Sequence, residues 1–262
     1  MLGTSTKPKP LDAAYGLRAL GRGDLPAALS IRGERFHRVT TVKHDFFAAT
    51  GFYENKAGAR VVLKVGRTED YAGVPMRWLG RRLCRREMRF YRKLSDVPGV
   101  PALLGTVGET GFVHEYVSGE PLRRGLAVPR GFFDALEDLL REVHRRDIAY
   151  VDTNKCPNIL LGDDGAPHLI DFQISWDLDE LGDTSLNRWL LRRLQREDRY
   201  HVLKHKKRLC PEELTAEERD VVMRKSALIR LHRMITAPYF RLRRAIFRRL
   251  RETGRLIPEG SQ

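Results

Sequence analysis

Cysteine is scarce. Three residues, Cys84, Cys156 and Cys210, stand in a chain of 262. None forms a Cys-x-x-Cys pair and the number is odd, so neither a disulfide framework nor a structural zinc site has support. Long apolar runs are missing too: no uncharged stretch approaches the roughly 20 apolar residues a membrane-spanning helix needs. The opening segment MLGTSTKPKPLDAAYG has no apolar centre and does not read as a secretory signal. These absences predict a cytoplasmic protein with reduced thiols. Internal repeats and low-complexity tracts are also absent.

Positive charge is in excess. The formal net charge is +14, and between residues 188 and 255 there are 21 Lys and Arg against 8 Asp and Glu. Such a basic region predicts either a solvated helical surface or an anionic partner. Pro238 opens a pattern in which Leu242, Ile246 and Leu250 recur at helical spacing, with Arg241, Arg244, Arg248 and Arg251 largely on the other side. That stripe either packs onto the protein's own helices or lies on an anionic membrane surface at the inner face of a membrane. No zinc spacing or recognition motif accompanies the charge, so nucleic acid is not an expected partner.

Organisation follows from periodicity. Residues 1–34 read as an extension with at most a short helix. The glycines at 16, 21 and 23 do not make a phosphate loop, because no Lys-Ser/Thr follows them. Strands are predicted over 38–42, 48–53, 59–65, 103–107 and 112–116, and a helix over 76–94. Ser-Gly-Glu-Pro at 118–121 reads as a loop. Helices are then predicted over 132–146, 184–208, 215–235 and 239–252. The order is strands first and helices later, an α+β arrangement in two parts, 35–117 and 118–262.

Two charged residues break apolar patterns. Lys64 sits within Val61-Val-Leu-Lys-Val65, where both strand faces read as buried. Taken alone it would also suit the solvated face of an edge strand. Glu87 lies four residues after Leu83 and four before Tyr91, on the apolar stripe of its helix and away from Arg81, Arg82, Arg85, Arg86 and Arg89. A buried ammonium and a buried carboxylate each demand a partner, and each supplies the other's.

A third cluster occupies 150–173. Short apolar runs at 159–161 and 168–170 flank Asp163-Asp-Gly165, a tight-turn signal, so a hairpin is predicted there. Its open ends bring Asn158 and Asp171 side by side as hard oxygen ligands for Mg²⁺. Asp152, just upstream, is placed to take a proton from an attacking hydroxyl, and Lys155 to meet a transferring phosphate. A surface hairpin with incidental polar ends is the plain alternative. His201 and His205 read as solvated, and Cys156 as an inert thiol.

The order of strand Lys64, helix Glu87, loop Asp152 and Asn158, then Asp171-Phe-Gln173 resembles the protein-kinase-like superfamily over about residues 36–176. The resemblance implies a two-lobed fold with a small β-rich N-terminal lobe and a reduced helical C-terminal lobe. It implies ATP and Mg²⁺ as cofactors, Asp152 as catalytic base, and Asn158 and Asp171 as metal ligands. His114-Glu115-Tyr-Val117 resembles the hinge that holds adenine, which assigns Glu115 and Val117 to nucleotide binding. The chain departs from the family where His-Arg-Asp appears as Tyr150-Val-Asp152, where Asp-Phe-Gly appears as Asp171-Phe-Gln173, and where Ala-Pro-Glu is missing. The Gly-rich loop is replaced by Lys43-His44-Asp-Phe-Phe47, which makes Lys43 and His44 candidate phosphate contacts. These departures resemble atypical short bacterial kinases, including the lipopolysaccharide-core (Kdo) kinases. The expected activity is transfer of the γ-phosphate to a hydroxyl, either a sugar of a lipid-linked glycan or a protein Ser/Thr. The alternative is a pseudokinase that binds without turnover.

Overall fold

The computed structural model describes residues 15–71 and 73–223. Strands precede helices, as expected. Six strands form one antiparallel sheet: β1 (Ala28–Ile31), β2 (Glu34–His44), β3 (Ala48–Glu54), β4 (Arg60–Gly66), β5 (Leu103–Val107) and β6 (Gly111–Glu115). Their order across the sheet is β1-β2-β3-β4-β6-β5. The stretch read as an extension therefore includes an edge strand, β1, and its Leu25, Leu29 and Ile31 enter the core.

Helix α1 (Arg77–Lys93) follows β4 and crosses the sheet. Its close approach depends on Gly80: a Cβ there would lie 2.0 Å from the carbonyl oxygen of Arg67. Any larger residue would push the helix off the strand. The helical part holds β7 (Gly119–Pro121), α2 (Phe132–Arg145), β8 (Ile148–Ala149), β9 (Ile159–Gly162), β10 (Pro167–Leu169), β11 (Trp176–Asp177), α3 (Leu178–Leu181), α4 (Ser185–Leu209) and α5 (Ala216–Met223). The loop expected at 118–121 is thus strand β7, which pairs with β9. The short β8–β11 pair carries no sequence signal, because two residues show no alternation. The helix predicted over 239–252, and the end of that predicted over 215–235, lie outside the described residues.

Strand alternation splits the core. Val61, Leu63 and Val113 face Leu25, Leu29, Phe36 and Tyr53. Lys64, Phe112 and His114 face the other way, towards α1. Phe112 joins Cys84, Met88 and Tyr91 of α1, and the same apolar cluster continues through Phe172 and Tyr150 to Val143 of α2 and Val202 of α4. Each buried aromatic there contributes about 1.5–3 kcal/mol. The residues around the site thus share one packed core rather than hanging from separate loops.

Candidate active site

The sheet and α1 supply a buried cation. Lys64 Nζ donates to Glu87 Oε1 and to Asp171 Oδ1, both at 2.8 Å. Glu87 is buried on the α1 stripe beside Tyr91 and Met88, so the pairing read from the two broken patterns is present. One ammonium serves two carboxylates. Burial works against the Lys64 charge, yet Glu87 and Asp171 hold its pKa above the ordinary lysine value. Burial pushes the more enclosed carboxyl, Glu87, up to about 7 despite Lys64. Burial also opposes ionisation of Asp171, but Lys64, with help from Lys43 and Lys155, brings its pKa down to about 2.

The hairpin behaves as its turn signal predicts. Ile159 pairs with Leu169, and Gly165 takes the left-handed φ of 79° that the turn requires. The Ile170 N–H donates to the Asn158 carbonyl at 3.1 Å, which brings the two open ends together. Asp171 itself has φ 62°, an uncommon conformation for a non-glycine residue, tolerated best by Asn and Asp. It is held by Tyr91, whose hydroxyl accepts from the Asp171 N–H at 3.2 Å, and by Phe172, packed edge-on against Tyr91 and Tyr150.

Asp152 is buried between these groups. Its Oδ2 accepts from Lys155 Nζ and from Asn158 Nδ2, each at 2.7 Å. Among the described residues Oδ1 has no such partner. With the Asn158 amide nitrogen committed to Asp152, its side-chain oxygen is left for another ligand.

What shapes the Asp152 loop was not read from the sequence. Asp198 of α4 is buried; its Oδ2 accepts from the Tyr150 N–H at 2.8 Å and its Oδ1 from the Val151 N–H at 2.8 Å and the Thr153 hydroxyl at 3.1 Å. Val151 has φ 68°, costly for a β-branched residue, and Asp198 holds it there. His205 is buried rather than solvated: its Nε2 meets the Thr153 carbonyl at 2.9 Å and its Nδ1 the Cys156 Sγ at 3.5 Å. Tyr150 donates its hydroxyl to the Ile170 carbonyl. The signal for Asp198 was available, since it shares an apolar stripe with Leu191 and Val202, as Glu87 does on α1.

The arginine face of α1 is likewise employed. Arg86 donates to the backbone carbonyls of Gln173 and Ser175 at 2.6 and 2.5 Å, Arg89 to Asp177 at 3.0 Å, and Lys93 to Asp179 at 2.7 Å. The segment after Asp171 is therefore tied to the helix that carries Glu87.

The remaining candidates are placed as follows. Lys43 pairs with Asp45 at 2.9 Å and acts electrostatically on Asp171. His44 turns away from the cluster: its Nδ1 meets Arg18 at 2.6 Å and its Nε2 accepts from the Leu20 N–H at 3.1 Å. Both ring nitrogens face donors, of which a neutral imidazole can accept from only one, and neither nitrogen is turned to the cluster, so the phosphate contact expected of His44 is not in place. Between them, Asp45 Oδ1 accepts from the N–H groups of Phe47 and Ala48 at 2.8 and 2.9 Å. Buried Arg67 braces the turn from below, donating to the Phe46 carbonyl at 2.9 Å and stacking on the Phe46 ring. The Glu115 carboxylate folds back to the Ala102 N–H at 3.1 Å, leaving its backbone, with Val117, at the connector between sheet and helices. A cavity of about 400 Å³ adjoins that connector, lined by Glu115, Tyr116, Val117, Asp163 and His168 among others, and none of Lys64, Glu87, Asp152, Asn158 or Asp171 lines it. A smaller space lined by Phe47, Lys64, Glu87 and Gln173 adjoins the cluster itself.

The donor set fits Mg²⁺: an ionised Asp171 carboxylate and an oriented Asn158 amide oxygen are hard ligands at adjacent hairpin ends. No family model and no curated protein matches the chain. Among solved structures, it is similar to the Rio2 kinase of Chaetomium thermophilum, described as an ADP/Mg²⁺–phosphoaspartate complex. The TM-score is 0.54 and the identity 16%; the match covers 72% of this chain and 62% of that one. The fold is thus kinase-like, a mixed α/β structure with a β-rich N-terminal sheet. At that identity the likeness shows the fold alone.

Proposed function

We propose that this chain is an ATP- and Mg²⁺-dependent phosphotransferase that moves the γ-phosphoryl group to a hydroxyl. The observation that carries this reading is the convergence of Lys64, Glu87, Asp152, Asn158 and Asp171, from four stretches of chain, into one cluster. In this reading the sheet with α1 and the helical part are two lobes, with the nucleotide between them. Asn158 and Asp171 would hold Mg²⁺, which supplies charge neutralisation at the phosphates. Lys64, kept charged by Glu87, orients the phosphates. Asp152, through its unpaired Oδ1, takes the acceptor's proton as the acceptor oxygen bonds to phosphorus and the bond to the leaving diphosphate breaks. Lys155 faces the transferring charge.

One observation favours a second reading, a binding module without turnover. The turn amides of Phe47 and Ala48 are already occupied by Asp45, so the donors a glycine-rich loop offers to phosphate are spoken for. Phosphate release from labelled ATP, followed with sugar and Ser/Thr-peptide acceptors, separates the two. Wild type should turn over, and Asp152→Asn should lose about 10²–10⁴-fold while still binding MgATP. Binding without turnover in wild type would favour the module, and full activity in Asp152→Asn would overturn the base assignment. A lipid-linked sugar, as in the lipopolysaccharide-core kinases, is the first acceptor to try. The membrane contact that would favour it rests on residues 239–252, outside those described.

A further inference from the structure

The turn between β2 and β3 carries a carboxylate with two separate tasks. Asp45 Oδ1 accepts from the Phe47 and Ala48 N–H groups at 2.8 and 2.9 Å, while Oδ2 pairs with Lys43 Nζ at 2.9 Å. Burial opposes ionisation of Asp45, but Lys43 and the two N–H groups hold its pKa below the ordinary aspartate value. The turn reaches the cluster. Phe47 and Ala48 line the small space beside Lys64 and Glu87, and the Lys43 charge acts on both Glu87 and Asp171. Its frame does not hang on the Asp45 side chain alone. The Asp45 N–H donates to the Ala48 carbonyl at 3.0 Å, the Asp45 carbonyl accepts from the Ala19 N–H at 2.7 Å, and Arg67 holds the Phe46 carbonyl at 2.9 Å. The Lys43–Asp45 pair is open to water, its side chains 50% and 30% exposed. An ion pair of that kind contributes little and is readily exchanged. Lys64, enclosed between two carboxylates, is held far more firmly.

We infer that Asp45 competes with the nucleotide's phosphates for Lys43, and so holds down the affinity of the site for a triphosphate. The inference rests on the nucleotide-binding reading above. A triphosphate beside Lys64 carries more charge than one carboxylate and draws Lys43 away from Asp45. The carboxylate left behind stays near the phosphates as a like charge, which costs binding. Asp45 acts here through Lys43 and is a positioning residue. Were it a turn cap and nothing more, asparagine would serve equally, because its side-chain oxygen accepts the same two N–H groups. Asparagine would neither retain Lys43 nor repel phosphate. Affinity for the phosphates, rather than stability, separates the two roles.

The test is calorimetric titration of the full chain with MgATP and with AMP, which lacks the β- and γ-phosphates. Asp45→Asn should bind MgATP about 10-fold more tightly than wild type, with AMP binding and the melting temperature of the free protein little changed. The gain should largely vanish when Asp45→Asn is combined with Lys43→Met, because no cation is then released. Asp45→Ser, neutral and still able to accept from a turn N–H, repeats the test should the asparagine variant fold poorly. Unchanged or weaker MgATP binding by a folded Asp45 variant overturns this inference alone. So does an equal gain for AMP, or a full gain without Lys43. Failure of both wild type and variant to bind MgATP overturns the nucleotide reading and this inference with it.

Discussion

The sheet half and the helical half hold their charged residues in different ways. In the first, Lys64 and Glu87 stand on regular elements, a strand and a helix, and are fixed by where those elements pack; the contact itself is a direct ion pair at 2.8 Å. In the second, Asp152 and Asn158 stand in irregular backbone, and their positions depend on a residue far along the chain, Asp198, which holds three donors of the loop. Regular elements position a side chain by geometry, whereas a loop must be held from outside.

The comparison can be broken from either side. Glu87→Ala removes one partner of a buried pair and leaves Lys64 with Asp171 alone. It should cost about 3–5 kcal/mol in urea unfolding, the largest loss of the set. Asp198→Asn keeps the shape but turns an acceptor oxygen into an N–H facing other donors. It should cost about 1–3 kcal/mol, with a disproportionate loss of turnover and little change in near-ultraviolet signals from the sheet half. If Asp198→Asn left turnover intact, the loop would not need its external support. Arg89→Ala leaves the fully buried Asp177 carboxylate with Lys93 at 3.6 Å as its remaining cation and should cost about 1 kcal/mol.

A difference of this kind governs what the sequence made legible. Lys64 and Glu87 were found because each interrupts an apolar period, and a period is a local property. Asn158 and Asp171 were found because Asp163-Asp-Gly165 marks a turn, and a turn fixes its two flanks. Asp198 follows the same rule as Glu87, but nothing local said which loop it would serve. The engaged state of His44 was hidden for the same reason: its partners, Arg18 and Leu20, lie in a stretch without strong periodicity. Strand β1 was missed there too, because a four-residue strand gives too few alternations to count. The use of Arg86 and Arg89 was illegible, since a basic helix face reads as solvated until the segment that covers it is known.

Acidification sharpens the contrast less strongly, because buried histidines lie in both halves. His44 and His114 in the sheet half, and His201 in the helical half, all have pKa values lowered to about 4, by burial first. In the unfolded chain they titrate near 6.5, so between these values the unfolded state binds more protons. Their contribution is complete above pH 6.5 and is lost as the pH drops towards 4, offset in part by Glu87, whose pKa raised from 4.5 to about 7 favours the folded state between those values. A melting temperature that stayed flat over that window would mean that these rings are solvated.

The central claim is that one cluster, built from both halves, binds a metal-complexed nucleotide. Thermal shift of wild type and Asp171→Asn with ATP, with and without Mg²⁺, tests it most directly. At 100 times the dissociation constant, MgATP should stabilise wild type by about 2.7 kcal/mol, seen as a rise of several degrees. ATP alone should do much less, and Asp171→Asn should lose most of the Mg²⁺-dependent part. No shift of wild type at millimolar MgATP, or an equal shift with and without the metal in both proteins, would contradict the account.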